Sequence, residues 1–571
     1  MYSKENPWIA EREATVCTWK FDYNRGHVSN INVSLVNDFM CLSERQLKNY
    51  AQMLKECGMT GVQVMDICAA WRASGSWENV HDKFKAFANA CHEIGLNFTV
   101  WCWAAEFSGY GWSDPDAVYC NSDPSKPAYE DERVRAFFNK YYDIYADLAP
   151  YADRVITHFF DPGNLTDIPS IIYFIKLLES KFKSKNPNIK IAVDTWGCPA
   201  GYPEALVDAG MNDVMLMELP FLPVWRQPGK RAAFREGVKK LGCDLGSWGW
   251  YTTDMEIDQL AIMTVNNRSL KDVFNQTRAQ ADHVLTPRYW SDTDSYHILN
   301  FFSLYSAGHL LIDPDDDPDK LLRDSARAVT GSNKENENRL VSVLELIRDA
   351  RSGDSWDSYW WTEPGYILKN YNGSILSRVD SAISALEKLI TEPEPTDGIA
   401  FPLTRNQLYR LILPHLYQIK QYAEFSHDFE TIKKMKQNGA SAEDLQKKID
   451  ALDCEIPEYN CVTGLWGQAE ARAAFEQTAE FCAENGLIAP QRSSAVRFEQ
   501  KRRLIDCLRV KQRGQIEPIF VTPLFYEGGI IGVEYIASLL EELAAEKVLI
   551  KNEEGKYALS DHQKGRFDFS I

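Results

Sequence analysis

Eight short apolar segments alternate with helical patterns between Ala14 and about Ala307. The apolar segments are rich in β-branched and aromatic residues, and the stretches after them repeat their hydrophobic positions every three to four residues. The segments begin at Ala14, Gly61, Asn97, Arg154, Lys190, Val214, Asp244 and His283. Hydrophobic strands that alternate with helices predict a parallel sheet covered on both faces, and eight such units predict a closed (β/α)8 TIM barrel. The alternative is an open doubly wound sheet, but no glycine-rich nucleotide turn follows any early strand.

The helical patterns between these segments are short and amphipathic. They predict helices over residues 43–57, 77–94, 132–149, 168–182, 203–209, 230–241 and 269–282. Ser43, followed by an acidic first turn, is a typical helix-capping residue. Each helix would return the chain to the start of the next parallel strand.

The pattern changes after the eighth strand. Residues 296–331 predict a helix, an acidic proline-containing turn and a second helix, and residues 335–483 continue as long amphipathic helices. The end of the chain predicts a helix over 532–546 and two short strands around Glu554 and Gly555, a winged-helix-like arrangement. We therefore predict a barrel domain over 1–310, an all-α domain over 311–490 and a small α+β module over 491–571.

The net charge of the chain disfavours some classes of binding partner. The chain has 81 acidic and 62 basic residues, a formal net charge of −19, so it repels phosphate backbones and anionic membranes. The helix of the terminal module carries Glu541, Glu542 and Glu546 and has no Lys or Arg before Lys547, which disfavours DNA binding. We expect no nucleic-acid or membrane partner, and a packing or oligomerisation role for this module.

The N-terminal residues and the cysteines indicate a compartment. No apolar stretch of signal-peptide length follows Met1, and the 13 cysteines show no paired metal-type spacing. We expect a cytoplasmic protein with reduced thiols.

Acidic residues end most of the predicted strands. They are Asp66, Glu106, Asp161, Asp194 and Glu218, with Asp254 and Glu256 after the seventh strand. Barrel enzymes place their chemistry at the carboxyl ends of the strands, so these carboxyl groups should converge on one rim. Crowded carboxyl groups acquire different pKa values, which suits general acid and general base catalysis.

Aromatic residues cluster at the same predicted rim. Candidates for contact with a ligand are Trp71, Trp103, Trp196, Trp225, Trp250, Tyr251 and Trp290, whereas Trp101 and Trp248 are expected in the core. Indole faces suit the C–H faces of a pyranose ring, and nearby acids can bind its hydroxyl groups. His158 on the fourth strand is either a proton-transfer residue or a hydrogen-bonded interior histidine. The rim therefore predicts a sugar site.

Other chemistries have weaker support in the sequence. The first strand offers Trp19, Lys20 and Asp22 and has no His-x-His pair for a metal hydrolase. The turns after the seventh and eighth strands are not glycine-rich as a phosphate site requires, and no strand ends in a G-x-S-x-G elbow. We expect neither a metal nor a cofactor.

The segment YHILNFFSLYSAGHLLIDPDDDPDKLLRDSARAVTG after the barrel resembles the end of the catalytic domain in one superfamily of glycoside hydrolases, which contains the β-hexosaminidases and the α-glucuronidases. The β-hexosaminidases carry two adjacent acids at the end of strand 4, whereas this chain has Asp161 followed by Pro162. The α-glucuronidases use an acid on strand 4 and carboxylates on the next two strands. The resemblance thus implies Asp161 as general acid, Asp194 and Glu218 as the pair that activates water, and inversion at the anomeric carbon.

These observations predict an exo-acting glycoside hydrolase that removes a terminal sugar from an oligosaccharide or small glycoside. Asp66 and Glu106 would bind hydroxyl groups, and Arg288, predicted to follow strand 8, would anchor an acidic sugar, with Arg72 or Arg226 as alternates. The alternatives are a retaining, β-hexosaminidase-like hydrolase and a non-catalytic carbohydrate-binding or regulatory barrel. The sequence leaves open whether the chain forms a homodimer.

Overall fold

The structure is a computed structural model of the 571-residue chain. It describes residues 2–17, 42–65, 77–103, 126–158, 167–195, 201–211, 213–218, 228–249, 263, 265–281, 287–292, 298–351, 373–452, 464–490, 501 and 533–560. Everything below concerns these residues.

Eight parallel strands close into a barrel in sequence order, with β1 paired to both β2 and β8. The strands are β1 (Glu11–Cys17), β2 (Gly61–Met65), β3 (Asn97–Trp103), β4 (Arg154–His158), β5 (Lys190–Asp194), β6 (Met215–Glu218), β7 (Leu245–Gly249) and β8 (Tyr289–Asp292). The predicted (β/α)8 fold is confirmed.

Within the described residues, seven helices connect the successive strands. They are α1 (Glu44–Glu56), α2 (Trp77–Glu93), α3 (Glu132–Ala146), α4 (Ile168–Lys185), α5 (Tyr202–Asp208), α6 (Pro228–Leu241) and α7 (Asn267–Ala281). Their starts follow local capping: Ser43 and Gln46 form a reciprocal capping box on α1, and the Asp167 side chain accepts the Ser170 N–H at the start of α4. The apolar faces of these helices pack on the strands in one continuous core.

The eighth barrel helix is α8 (Phe301–Ile312), which follows β8 and packs against α7. Its Gly308 lies against the end of α1, where a Cβ atom would stand 1.8 Å from the Cys57 carbonyl oxygen. The backbones can approach this closely only because residue 308 has no side chain. Gly308, in the segment YSAGHLL, therefore allows α8 to pack against the end of α1.

We expect Gly308→Ala to lower the free energy of unfolding by about 3 kcal/mol, since backbone atoms must move apart to admit the new methyl group. Denaturant unfolding measures the change. A matched control is Gly237→Ala in α6, where an added Cβ meets nothing within 4 Å and better helix propensity should stabilise by about 0.5 to 1 kcal/mol. Equal stability of the two variants would contradict the close approach at Gly308.

The chain continues as the predicted all-α region. Its helices are α9 (Pro318–Thr330), α10 (Lys334–Arg351), α11 (Gly373–Thr391), α12 (Arg405–Gln437), α13 (Ala442–Asp450) and α14 (Gly464–Asn485). This region contacts the barrel at α1, where the Gln46 and Asn49 amides donate to the carbonyl oxygens of Pro402 and Phe401 at 3.2 and 3.0 Å. No helix in the described part of the chain is long and apolar enough to cross a bilayer.

The terminal segment has the predicted helix and hairpin, α15 (Val533–Ala545) and the antiparallel strands β9 (Leu549–Lys551) and β10 (Tyr557–Leu559). Three acidic side chains, Glu541 and Glu542 of α15 and Glu546 directly after it, form pairs within this segment and with Lys501. Glu542 and Glu546 lie 2.8 and 2.6 Å from the Lys501 ammonium group, and Glu541 pairs with Lys551 and accepts the Tyr557 hydroxyl. The carboxylates thus serve local packing.

A polar network fills the amino-terminal half of the barrel interior. The buried Arg154 guanidinium of β4 donates to Glu13 at 2.9 Å, pairs with Glu11, and lies 4.2 Å from the centre of the Tyr289 ring. The Tyr289 hydroxyl donates to Glu13 at 2.7 Å, and Gln63 of β2 donates to the oxygens of Tyr289 and Ser291. Side chains of β1, β2, β4 and β8 are thereby joined across the base of the barrel.

Candidate functional site

Alternation along the strands decides which side chains enter the barrel. On β5, Ile191 and Val193 pack in the core between strands and helices, so Ala192 and Asp194 face the interior. On β6 the interior residues are Met215 and Met217, whose sulfur atoms would lie 2.9 and 2.5 Å from a Cβ at Gly246 of β7. Along β5 and β6, successive side chains therefore point alternately into the barrel interior and into the core between the strands and the helices.

Asp194 lies inside the barrel at the carboxyl end of β5. Its side chain is completely buried and accepts a hydrogen bond of 2.5 Å from the indole Nε1 of Trp248 on β7. Trp248 packs edge to face on Trp101 of β3, with ring centroids 5.3 Å apart. A buried carboxylate without a donor would be costly, so the indole N–H both stabilises Asp194 and fixes its orientation. Asp194, Trp248 and Trp101 form what we call the indole–carboxylate cluster.

Two further predicted site residues end neighbouring strands at the same level. Trp103 ends β3 and is the register partner of His158, which ends β4. Thr157 and Val193, the residues before His158 and Asp194, are also register partners. The backbone thus brings three predicted positions, 103, 158 and 194, to one sector of the carboxyl-terminal rim.

The structure does not bring Glu218 to this cluster. Glu218 alternates with the lumen-facing Met217 and lies on the helix side of β6, where Arg235 of α6 donates to its Oε2 at 2.9 Å and also to its Oε1. Both side chains are buried. The prediction that Asp194 and Glu218 jointly face the reacting sugar is therefore corrected, because the two residues lie on opposite sides of the sheet.

Two placements predicted at the end of strand 8 are also wrong, since this strand begins at Tyr289. Arg288 precedes the strand, at the amino-terminal end of the barrel, where it lies 3.3 Å from Glu11 and 3.8 Å from Asp244. Trp290 is within β8 and is 3% exposed, packed edge to face on Phe274 of α7. Neither residue is at the rim, so Arg288 is not an anchor for an acidic sugar there.

Most of the other predicted site residues lie outside the described residues, and their roles stay predictions. They are Asp66, Trp71, Glu106, Asp161, Trp196, Trp225, Trp250 and Tyr251. The alternate anchors Arg72 and Arg226 also lie outside the described residues. The same holds for Asp254 and Glu256. No group of three His, Cys, Asp or Glu side chains arranged to hold a metal ion occurs within the described residues.

Sequence reasoning missed the polar role of Trp248. It was expected to be a core residue, and it is buried, but its indole N–H also holds Asp194. The pairs WCW and WGW contain the signal, because a spacing of two residues along a strand predicts two indoles on one face. Of these tryptophans the structure describes the side chains of Trp101 and Trp248, and both lie in the barrel interior.

Comparisons with known proteins give remote structural similarities. No protein-family model matches the chain. No curated protein matches it in sequence. One similar structure is a GH138 enzyme targeting the pectin rhamnogalacturonan II, with 11% identity over 96% of this chain and 70% of the other and a TM-score of 0.45. Another is a family 89 glycoside hydrolase from Clostridium perfringens in complex with PUGNAc, with 12% identity, coverage of 93% and 66%, and a TM-score of 0.38.

Glycoside hydrolases are thus among the similar structures, and proteins of other kinds are among them as well. DHDPS from Cyanidioschyzon merolae with lysine bound matches with 10% identity over 66% of this chain and 98% of the other, at a TM-score of 0.28. Similarity at this level assigns neither activity nor substrate. The barrel itself is established by the strand pairing within this chain.

Proposed function

We propose that the chain is a glycoside hydrolase that removes a terminal sugar from an oligosaccharide or small glycoside. The observation that carries this proposal is the indole–carboxylate cluster: a buried acid, Asp194, at the carboxyl end of a barrel strand, held by one tryptophan and backed by a second. Active sites of (β/α)8 barrels lie at this end, and the pairing of indole with carboxylate suits a sugar.

In the proposed mechanism Asp194 acts as the base that removes a proton from the attacking water. The Trp248 N–H donates to Oδ1 of Asp194 at 2.5 Å and so fixes the orientation of the carboxylate that would accept this proton. Asp161, three residues beyond the end of β4, is proposed as the acid that protonates the leaving oxygen. Inversion requires these two carboxyl groups to stand about 6.5 to 9.5 Å apart, so that water fits between the base and the sugar.

Glu218 has a supporting role in this proposal. Its carboxylate is engaged at both oxygens by Arg235, on the helix side of the sheet. A carboxylate held in this way can stabilise the end of β6, which neighbours Asp194 through the register pair Asp194 and Met217. We also propose the cytoplasm as the compartment, consistent with buried, free thiols at Cys57, Cys91, Cys102, Cys243 and Cys482.

The test is turnover of a panel of chromogenic glycosides in both anomeric forms, including neutral, N-acetylated and acidic sugars, together with natural oligosaccharides. We expect release of one terminal sugar, and NMR of the first product should show an inverted anomeric centre. Retention would favour two carboxyl groups about 5 to 5.5 Å apart and a covalent intermediate. Sugar binding without turnover across the panel would overturn the proposal in favour of a non-catalytic carbohydrate-binding barrel.

A further inference from the structure

A buried histidine of the helical region contacts the backbone of the barrel. His415 of α12 accepts the Met263 N–H through Nδ1 at 3.4 Å, and Met263 lies between β7 and α7. The guanidinium of Arg351, the last residue of α10, lies 3.1 Å from the same Nδ1 and donates to the Met263 carbonyl oxygen at 3.3 Å. Arg351 also donates to the amide oxygen of Gln418. We call Arg351, His415 and Gln418 the His415 junction.

These contacts define the protonation state of His415. Both groups that face Nδ1 are donors: the Met263 N–H, and the guanidinium of Arg351, which has no acceptor atom. Nδ1 must therefore carry a lone pair, so the ring is neutral and its proton is on Nε2. The geometry of the junction thus requires a neutral histidine.

The surroundings of the ring also oppose a positive charge. Within the described residues, the groups hydrogen-bonded to His415 include no carboxylate. His415 is 1% exposed and Arg351 is completely buried, so bulk water reaches neither side chain. Burial and the neighbouring guanidinium hold the pKa of His415 well below its usual value.

The charged groups on the elements packed against α12 are paired elsewhere. On α11, Asp380 pairs with Lys420 and Glu387 accepts the Tyr417 hydroxyl, and on α10 Arg348 pairs with Asp319 and Asp349. The turn Ile298–Asn300 has no titratable side chain, and α13 packs at the far end of α12, against Ile432. Among the described residues, Arg351 is therefore the charged group that faces His415.

Other contacts join the helical region to the barrel without a titratable group. The Gln46 and Asn49 amides of α1 donate to the carbonyl oxygens of Pro402 and Phe401, and Asn267 at the start of α7 donates to the Pro318 carbonyl oxygen at 2.8 Å. These hydrogen bonds join neutral groups, so they persist over the range in which a histidine titrates. Loss of the His415 contact would therefore loosen α12 on Met263 without separating the two regions.

We propose that the His415 junction is an acid-sensitive contact between the helical region and the barrel, which forms while His415 is neutral and breaks when the ring takes up a proton from solvent. The proton must go to Nδ1, because Nε2 already carries one. The imidazolium would then direct an N–H at the Met263 N–H and at a guanidinium, so the backbone would lose its acceptor and two cations would face each other. The inference does not depend on the proposed function.

The first test is the pH dependence of unfolding. A histidine whose pKa is lowered by folding stabilises the protein above its unfolded pKa of about 6.5, and this contribution is lost as the pH falls. His415→Asn places an amide oxygen near the position of Nδ1, so it keeps an acceptor and cannot titrate. Between about pH 7.5 and 5.5, the folding equilibrium constant of the wild type should fall about tenfold more than that of His415→Asn. Denaturant unfolding measures both, and parallel pH curves would overturn the proposal.

His309→Asn supplies the matched control. His309 of α8 also has a lowered pKa, caused first by burial, but its Nε2 lies 3.3 Å from the carbonyl oxygen of Glu56 and donates to it in either protonation state. Protonation therefore leaves this hydrogen bond in place. We expect His309→Asn to keep most of the acid sensitivity of the wild type. A reduction as large as that in His415→Asn would assign the effect to histidine burial in general and overturn the junction.

Arg351→Met tests the second donor at Nδ1. The change keeps His415 but removes the cation beside it, so protonation should cost less and the loss of stability on acidification should be smaller than in the wild type. An unchanged acid sensitivity would contradict the arrangement of two donors at Nδ1. This variant also decides the proposal if His415→Asn does not fold.

Amide hydrogen exchange locates the change. The wild type and His415→Asn are compared at the same pH, so that intrinsic exchange rates cancel. At about pH 5.5, peptides from α12 around residue 415 should exchange about tenfold faster in the wild type, whereas at about pH 7.5 the two proteins should exchange alike. Peptides from α1 to α4 serve as the internal reference and should not differ. Equal exchange of α12 at both pH values, or an acceleration spread evenly over the barrel, would overturn the proposal.

Discussion

Asp194→Asn should lower kcat/KM by about 10³-fold or more, while the melting temperature stays within a few degrees of the wild type. The amide oxygen of asparagine can still accept the Trp248 N–H, so the size of the side chain and this hydrogen bond are kept while the charge and basicity are lost. Steady-state kinetics on the substrate found by glycoside screening, with calorimetry on the same preparations, measures both quantities.

Glu218→Gln is the informative comparison, since the family resemblance pairs Glu218 with Asp194 and the structure separates them. The change leaves the buried guanidinium of Arg235 without its carboxylate partner and should cost about 3 to 5 kcal/mol of stability. Turnover per folded molecule should stay near the wild-type value below the melting temperature. If instead Glu218→Gln abolished turnover at unchanged stability, Glu218 would belong to the reaction and its structural role would be wrong.

Arg154→Met should lower the free energy of unfolding by about 3 to 5 kcal/mol. Arg154 is 2% exposed and neutralises Glu13, which is completely buried. Removing the cation leaves an uncompensated carboxylate in the base of the barrel. The double variant with Glu13→Gln removes that charge and should recover part of the loss, and denaturant unfolding of the single and double variants measures the coupling.

The loss in Arg154→Met should also depend on pH. Burial raises the pKa of Glu13 in the folded protein, whereas Arg154 opposes this rise. A carboxyl group whose folded pKa is raised favours folding at low pH, and this contribution is lost as the pH rises through the folded pKa. Without Arg154 the pKa of Glu13 rises further, so the variant should lose more stability than the wild type as the pH rises above the ordinary pKa of a glutamic acid. A pH-independent difference between the two proteins would contradict this account.

Much of the fold could be predicted from the sequence because its strands are short apolar runs bounded by amphipathic helices. The predicted starts at Gly61, Asn97, Arg154 and Lys190 are those of β2 to β5. The eighth strand was predicted from His283 and begins at Tyr289. An apolar run indicates the approximate position of a strand, but the residue at which the strand begins depends on pairing with the neighbouring strands. Here Tyr289 pairs with Glu11 of β1 and with Gly246 of β7.

The candidate site was less predictable for a related reason. The sequence places both Asp194 and Glu218 at strand ends, but the face that each occupies depends on the parity of its position in the strand. In β6 the residues Met215, Leu216 and Met217 are all apolar, so no alternation reveals which of them point inward. Only the pairing with β7, where Gly246 leaves room for Met215 and Met217, sets Glu218 on the opposite face.

The polar network at the base of the barrel has a consequence for cooperativity. Arg154 and Glu13 are 141 residues apart in the chain, and Tyr289 and Glu13 are 276 apart. A half-barrel fragment containing β1 to β4 would bring Arg154 and Glu13 together without Tyr289. The Glu13 carboxylate would then lack the hydrogen bond from the tyrosine hydroxyl. Interactions of such long range are costly to form early, because loop-closure entropy must be overcome first. The network is complete only when β8 pairs with β1 and closes the barrel. We therefore expect that the two halves of this barrel do not fold as independent units.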